Sequence, residues 1–149
     1  MHKAKVCVVD DCVDEATLLC EGLWLNGYDA LAVYNGVDAF ERCGQGDIDL
    51  LLLDVGLPDI DGFGVCEILR STEATATIPI VITSVWRSAG ARRLGREFGA
   101  FDYLAKPFRA DQLIDRVQRT LAAQAPTMAE KKDAKADASS APKRRKVAV

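Results

Sequence analysis

The run Ile48 to Gly62, IDLLLLDVGLPDIDG, constrains this chain more than any other stretch. Four consecutive leucines, Leu50 to Leu53, lead directly into Asp54, and a loop of Gly, Pro and Asp follows. A strand with one wet face alternates apolar and polar residues. An unbroken apolar run bounded by turn residues therefore predicts a strand buried on both faces of a parallel sheet. Open sheets of this kind hold their ligands in a crevice at the carboxyl ends of the strands. Asp54 falls at that edge, where a carboxylate has solvent access and apolar walls.

The remaining segments supply the partners such a strand needs. Lys5 to Val9 reads as a first buried strand ending at Asp10-Asp11. Ala16, Leu19, Cys20 and Leu23 recur at helical spacing up to Asn26-Gly27, a helix stop with Gly27 suited to a left-handed conformation. Ala30 to Val33 predicts a second strand and Gly36 to Cys43 a short helix. After the leucine strand, a helix is expected from about Phe63 to Ser71, with Val65, Cys66 and Leu69 inward. Ile78 to Ile82 predicts a fourth strand, capped by Thr83-Ser84, with Pro79 near its start where a missing donor is tolerated. Ser88 to Phe98 is a helix weakened by Gly90 and Gly95, each costing about 1 kcal/mol relative to alanine. Phe101 to Ala105 is a fifth strand ending at Lys106-Pro107, and Leu113, Ile114, Val117 and Leu121 mark the inner stripe of a last helix.

Alternation of five strands with five helices predicts an α/β domain with a parallel sheet. Right-handed crossovers leave few topologies, and the doubly wound order 2-1-3-4-5, flavodoxin-like, is the expected one. The domain is expected over residues 1–123. Residues 124–149 have no apolar face and are rich in Ala, Lys, Asp, Ser and Pro, the composition of a disordered tail. Charge divides the same way. The first part holds 12 basic against 19 acidic residues, the tail seven basic against three acidic, giving −7 and +4. Lys143 to Lys146 is the tail's basic cluster, expected to be a passive extension with a nucleic-acid or anionic-lipid patch as the alternative.

No apolar run approaches the ~18 residues of a membrane-spanning helix. The N-terminus does not read as a signal peptide, and five cysteines without a CxxC pair fit neither a disulfide framework nor a zinc site. A reducing cytoplasm is the default expectation. Cys12 reads as a small apolar residue rather than a reactive thiol.

In a parallel sheet, all carboxyl ends share one edge. Asp10, Asp11 and Asp54 therefore meet Thr83, Ser84 and Lys106 in one crevice. Three like charges there repel unless a cation intervenes, and an all-oxygen acidic cluster selects a hard ion such as Mg²⁺. Beside such an ion a carboxylate is a competent nucleophile towards phosphorus. Lys106 and Thr83 can then neutralise and hydrogen-bond the oxygens of a transferring group. Taken singly, Asp10-Asp11 reads more simply as a helix N-terminal pair and Lys106 as a solvated surface lysine.

Taken in order, VVDD at 8–11, LLLLDVGLPDIDG at 50–62, IVITS at 80–84 and YLAKPF at 103–108 resemble the receiver domain of two-component response regulators. The resemblance covers roughly Lys5 to Ala122. It implies that Asp54 is the phosphoacceptor and that Mg²⁺ is held by Asp11, Asp54 and the Gly56 backbone carbonyl, with Asp10 helping through water. It further implies that Lys106 pairs with the phosphoryl group, that the Lys106-Pro107 peptide is cis, and that Thr83 and Tyr103 form a switch pair. The only histidine, His2, lies near the N-terminus, so a phosphohistidine must come from a sensor histidine kinase or a histidine phosphotransfer protein. The resemblance implies a stand-alone signalling domain rather than an enzyme, without a DNA-binding domain, acting through a downstream protein target. Contacts or a phosphorylation-dependent dimer would use the 88–121 face, which carries Arg92, Arg93 and Arg96. Gly56 and Val85 offer no side chain to position water, so slow autodephosphorylation is expected.

Three rivals are weighed against this. A haloacid dehalogenase-type phosphatase needs a second aspartate two residues after its nucleophile, where this chain has Gly56. A nucleotide or flavin site wants glycines and amides after strand one, where this chain has DDCVDE. A degenerate receiver that only binds proteins is the remaining alternative.

Overall fold

A computed structural model describes residues 2–124; of the predicted tail, Gln124 is the last residue of a helix and residues 125–149 lie outside the described residues. Five strands, β1 (Lys5–Val9), β2 (Asp29–Val33), β3 (Leu50–Asp54), β4 (Ile80–Ser84) and β5 (Asp102–Ala105), form one sheet in the order β2-β1-β3-β4-β5. Every neighbouring pair is parallel. Five helices alternate with them: α1 (Val13–Leu25), α2 (Gly36–Cys43), α3 (Gly62–Ser71), α4 (Ala89–Glu97) and α5 (Ala110–Gln124). The expected doubly wound α/β fold is the observed one.

The leucine run explains the layering. Leu51 and Leu53 pack into a core with residues of α2 and α3, while Leu50 and Leu52 face a second core built from α1 and α5. All four are at most 1% exposed. Burial of each such side chain is worth about 1.5–3 kcal/mol, so β3 anchors both layers. Val6 and Val8 of β1 join the α1/α5 core, and Cys7 and Val9 the other. Helix ends follow from local chemistry. Asn35, Asp61 and Ser88 accept from Asp38, Gly64 and Ala91 amides as N-caps of α2, α3 and α4. Gly27, at φ 90°, ends α1.

Three sequence expectations shift. The fourth strand starts at Ile80, not Ile78, so Thr83 and Ser84 lie within β4 rather than capping it. Pro79 lacks an N–H, yet its carbonyl accepts from Leu51 N at 2.9 Å and starts the ladder. A short 3-10 turn, Glu73–Thr75, precedes it, with no periodic signal in the sequence to mark it. Leu121 packs against the α1/α5 core as expected but only half-buried, whereas Thr120 beside it is fully buried, its hydroxyl donating back to the Arg116 carbonyl at 2.7 Å.

Arg70 was not singled out by the sequence pattern. Its guanidinium donates to the carbonyls of Gly99, Ala76 and Ile78 at 2.7–3.0 Å, tying α3 to the segments that enter β4 and β5. Burial lowers its pKa, and three carbonyl partners replace the lost water.

The return of the β3–α3 loop depends on a close backbone approach. The Gly62 amide donates to the Val55 carbonyl at 2.8 Å. A Cβ on Gly62 would lie 2.7 Å from Val55 Cα and 2.8 Å from the Asp54 carbonyl oxygen. Gly62→Ala is expected to lower the unfolding free energy by about 1–3 kcal/mol, read as a reduced urea midpoint at unchanged slope.

Candidate functional site

The strand register assembles the candidate site. Asp10 directly follows β1, Asp54 ends β3, Thr83 lies across from Asp54 in the β3–β4 ladder, and Lys106 follows β5. Asp10, Asp11 and Asp54 each offer a carboxylate oxygen, and these oxygens lie within 4.8 Å of one another. The sequence thus predicted a cluster that the fold brings together.

Asp10 is buried, and its two oxygens are separately engaged. One accepts from Cys12 N at 2.9 Å and the other from Lys106 Nζ at 3.2 Å. Burial pushes its carboxyl pKa up, against the opposing pull of the Cys12 amide and the Lys106 ammonium. Asp54 is more accessible, its side chain 14% exposed. It accepts from Gly56 N at 3.3 Å and faces Lys106 Nζ at 3.6 Å. A Cβ on Gly56 would point towards Asp54 Oδ2 from 4.0 Å, so the missing side chain leaves that flank open. Asp11 is exposed, with no ion-pair partner among the described residues.

Lys106 is positioned by its backbone. Its amide donates to Ser84 O at 2.7 Å, its carbonyl accepts from Arg87 at 2.9 Å, and the Lys106-Pro107 peptide is cis. Burial alone would lower its pKa, but Glu15, Asp54 and Asp10 together outweigh that and raise it. Lys106 therefore stays an ammonium ion beside the carboxylates. Glu15, on the first turn of α1, is a partner the sequence did not reveal, since the β5 end and α1 meet only in the fold. Lys106 and Glu15 border a groove of about 540 Å³ whose other lining includes Leu18, Leu19, Phe108 and Leu113.

Thr83 is buried across from Asp54, and Ser84 is buried with its hydroxyl accepting from Trp86 N at 3.0 Å. Tyr103 is buried in the described conformation, its ring already inward and its hydroxyl donating to Trp86 O at 2.7 Å. Gly95 makes room for that ring: a Cβ there would sit 3.2 Å from Tyr103 Cδ2. The Arg92 guanidinium lies over the ring, 5.3 Å from its centroid, leaving Arg93 and Arg96 as the exposed arginines of α4. Trp86 also stacks on Phe63, which contacts Phe98. Cys12, read from the sequence as a small apolar residue rather than a reactive thiol, is exposed, because it occupies the N-cap position of α1 at the rim of the site.

The donor set suits a hard divalent ion. Oxygens across an octahedron of ~2.1 Å bonds are ~4.2 Å apart, close to the present spread of the three carboxylates. A doubly wound sheet with an acidic triad and a lysine on its carboxyl edge defines the class of CheY-like receiver domains. Comparison with known proteins agrees. Residues 6–118 match the response regulator receiver domain family. The chain belongs to that family.

It is 33% identical over 117 residues to the DNA-binding dual master transcriptional regulator RpaA of Synechocystis sp., an alignment covering 78% of this chain and 48% of that protein. The chain spans about half the length of the curated relatives it matches. A putative response regulator from Chloroflexus aurantiacus has a similar structure, with 35% identity, TM-score 0.77, and coverage of 81% of this chain and 99% of that one. The receiver domain of Francisella response regulator 1452 is 29% identical, with TM-score 0.78 and coverage of 83% and 100%. Receiver domains of this family accept phosphoryl groups and bind Mg²⁺ in an acidic pocket.

Repulsion within the triad gives a stability test. Asp11→Asn is expected to stabilise the protein in EDTA by about 1 kcal/mol, because one like charge a few ångströms away is removed. The same change should flatten the rise in melting temperature that millimolar Mg²⁺ gives the wild type. Thermal unfolding in EDTA and in Mg²⁺ measures both.

Proposed function

We propose that this chain is a phosphorelay receiver in which Asp54 accepts a phosphoryl group from a phosphohistidine of a sensor histidine kinase or histidine phosphotransfer protein. The observation that carries the proposal is the convergence of Lys106 on Asp10 and Asp54 beside an acidic triad fit for Mg²⁺. An Asp54 oxygen forms the new bond to phosphorus as the bond to the imidazole nitrogen breaks, and the imidazole leaves. Asp11, Asp54 and the Gly56 carbonyl would hold Mg²⁺, with Asp10 helping through water, and the ion would supply charge neutralisation at the transferring group. Lys106 neutralises a further phosphoryl oxygen, and Thr83 donates a hydrogen bond to one. Thr83 and Tyr103 act as the switch pair.

The domain is assigned to residues 1–123 and works as a signalling module in the cytoplasm, not as a classical enzyme. Among the described residues, no helix is long and apolar enough to cross a membrane. DNA binding is named for the longer relative RpaA, and this chain's own output is assigned to a protein target. A phosphoryl group adds about −1.5 to −2 charges at Asp54, biasing the α4–β5–α5 face towards a partner or a second copy. The basic cluster Lys143–Lys146 is a passive extension in this scheme.

Incubation with acetyl phosphate and Mg²⁺ should produce a phosphate-affinity gel shift in wild type that Asp54→Ala abolishes. An unshifted wild type would favour a module that binds proteins without phosphorylation. Decay of the phosphorylated form in Mg²⁺ should be slow, because Gly56 and Val85 place no polar side chain over Asp54. Replacing Arg93 and Arg96 with glutamate should abolish phosphorylation-dependent partner binding or dimerisation, measured by size-exclusion light scattering and pull-down, without affecting phosphoryl acceptance.

A further inference from the structure

Lys106 has three carboxylate neighbours, and the phosphoacceptor is the most distant. Nζ lies 3.0 Å from Glu15, 3.2 Å from Asp10 and 3.6 Å from Asp54. The first two distances are hydrogen bonds and the third is an ion pair beyond hydrogen-bond reach. Glu15 differs from the other two. It lies on the first turn of α1, its side chain is half exposed, and it is not part of the acidic triad.

We propose that Glu15 is a positioning residue that competes with the phosphoryl group on Asp54 for Lys106. The proposal rests on the function assigned above. For Nζ to reach an oxygen carried by Asp54 it must move away from the α1 side, towards the crevice. Asp10 already borders that crevice, so the Asp10 contact survives the movement. The Glu15 contact is the one given up. Glu15 therefore holds the unphosphorylated protein in an arrangement where the ammonium is drawn from its target, and phosphorylation frees a carboxylate at the rim of the groove lined by Leu18, Leu19 and Phe108. A half-exposed ion pair is a modest restraint, and its release corresponds to about a two- to fivefold change in an equilibrium.

The test is the affinity for beryllofluoride, a phosphoryl mimic, at saturating Mg²⁺, followed by fluorine NMR on the full chain. Glu15→Gln removes the charge, whereas Glu15→Asp keeps it but withdraws the carboxylate by one methylene. Both variants are expected to bind beryllofluoride about two- to fivefold more tightly than wild type. Unchanged affinity in Glu15→Gln overturns the proposal. So does a gain in Glu15→Gln that Glu15→Asp lacks, because charge at the rim would then act without the contact. Failure of wild type to bind beryllofluoride at all would overturn the function assigned to Asp54 as well, whereas binding lost only in Asp54→Ala keeps that function separate from the role of Glu15.

Discussion

Burial of β3 on both faces is the constraint from which the rest follows. Leu50 to Leu53 have no wet side, so helices must cover the sheet front and back, and the strands must run parallel through helical crossovers. Parallel strands bring all their carboxyl ends to one edge. That edge then collects Asp10, Asp11 and Asp54 within a few ångströms, an arrangement electrostatically unfavourable without compensation. Lys106 provides part of it, and the cis peptide that follows belongs to the turn presenting its side chain to the aspartates. The stable apolar interior and the strained charge balance at its rim are thus two consequences of one packing arrangement.

The site is continuous with the α4 side of the molecule. Ser84, one residue after Thr83, holds the Trp86 amide, and the Trp86 carbonyl accepts the Tyr103 hydroxyl. Tyr103 fits against Gly95 and beneath Arg92, and Trp86 stacks on Phe63. A change in charge at Asp54 that moved Thr83 would meet this cluster first. α4 is also the most weakly anchored helix: Gly95 is its only fully buried residue, so it has little apolar surface resisting displacement. Gly95, which by propensity alone merely weakens a helix, has a packing reason to be glycine.

Much of the fold was legible because its signals are local. Apolar runs, helical spacing, Asn26-Gly27 and the capping residues act within a few positions of the chain, and each marked its element to within about two residues. The misplaced fourth strand shows the limit. Pro79 reads as part of a strand by composition, but where the ladder begins depends on which carbonyl Leu51 finds across the sheet. Cys12 shows another. Its residue type favours burial, while its place at the start of α1 leaves it exposed.

The sequence by itself determined the doubly wound sheet and the set of residues gathered at its carboxyl edge, because parallel topology fixes that edge once the strands are known. Tertiary structure alone decided the distances and the competition among those residues. Only the packing of α1 against the β5–α5 turn brings Glu15 to Lys106 across 91 positions of chain, closer than the aspartate that Lys106 is expected to serve. Arg70's ties to three separate carbonyls and the inward seat of Tyr103 were hidden for the same reason. Long-range contacts of polar side chains leave no periodic trace in a sequence, whereas burial of an apolar face does.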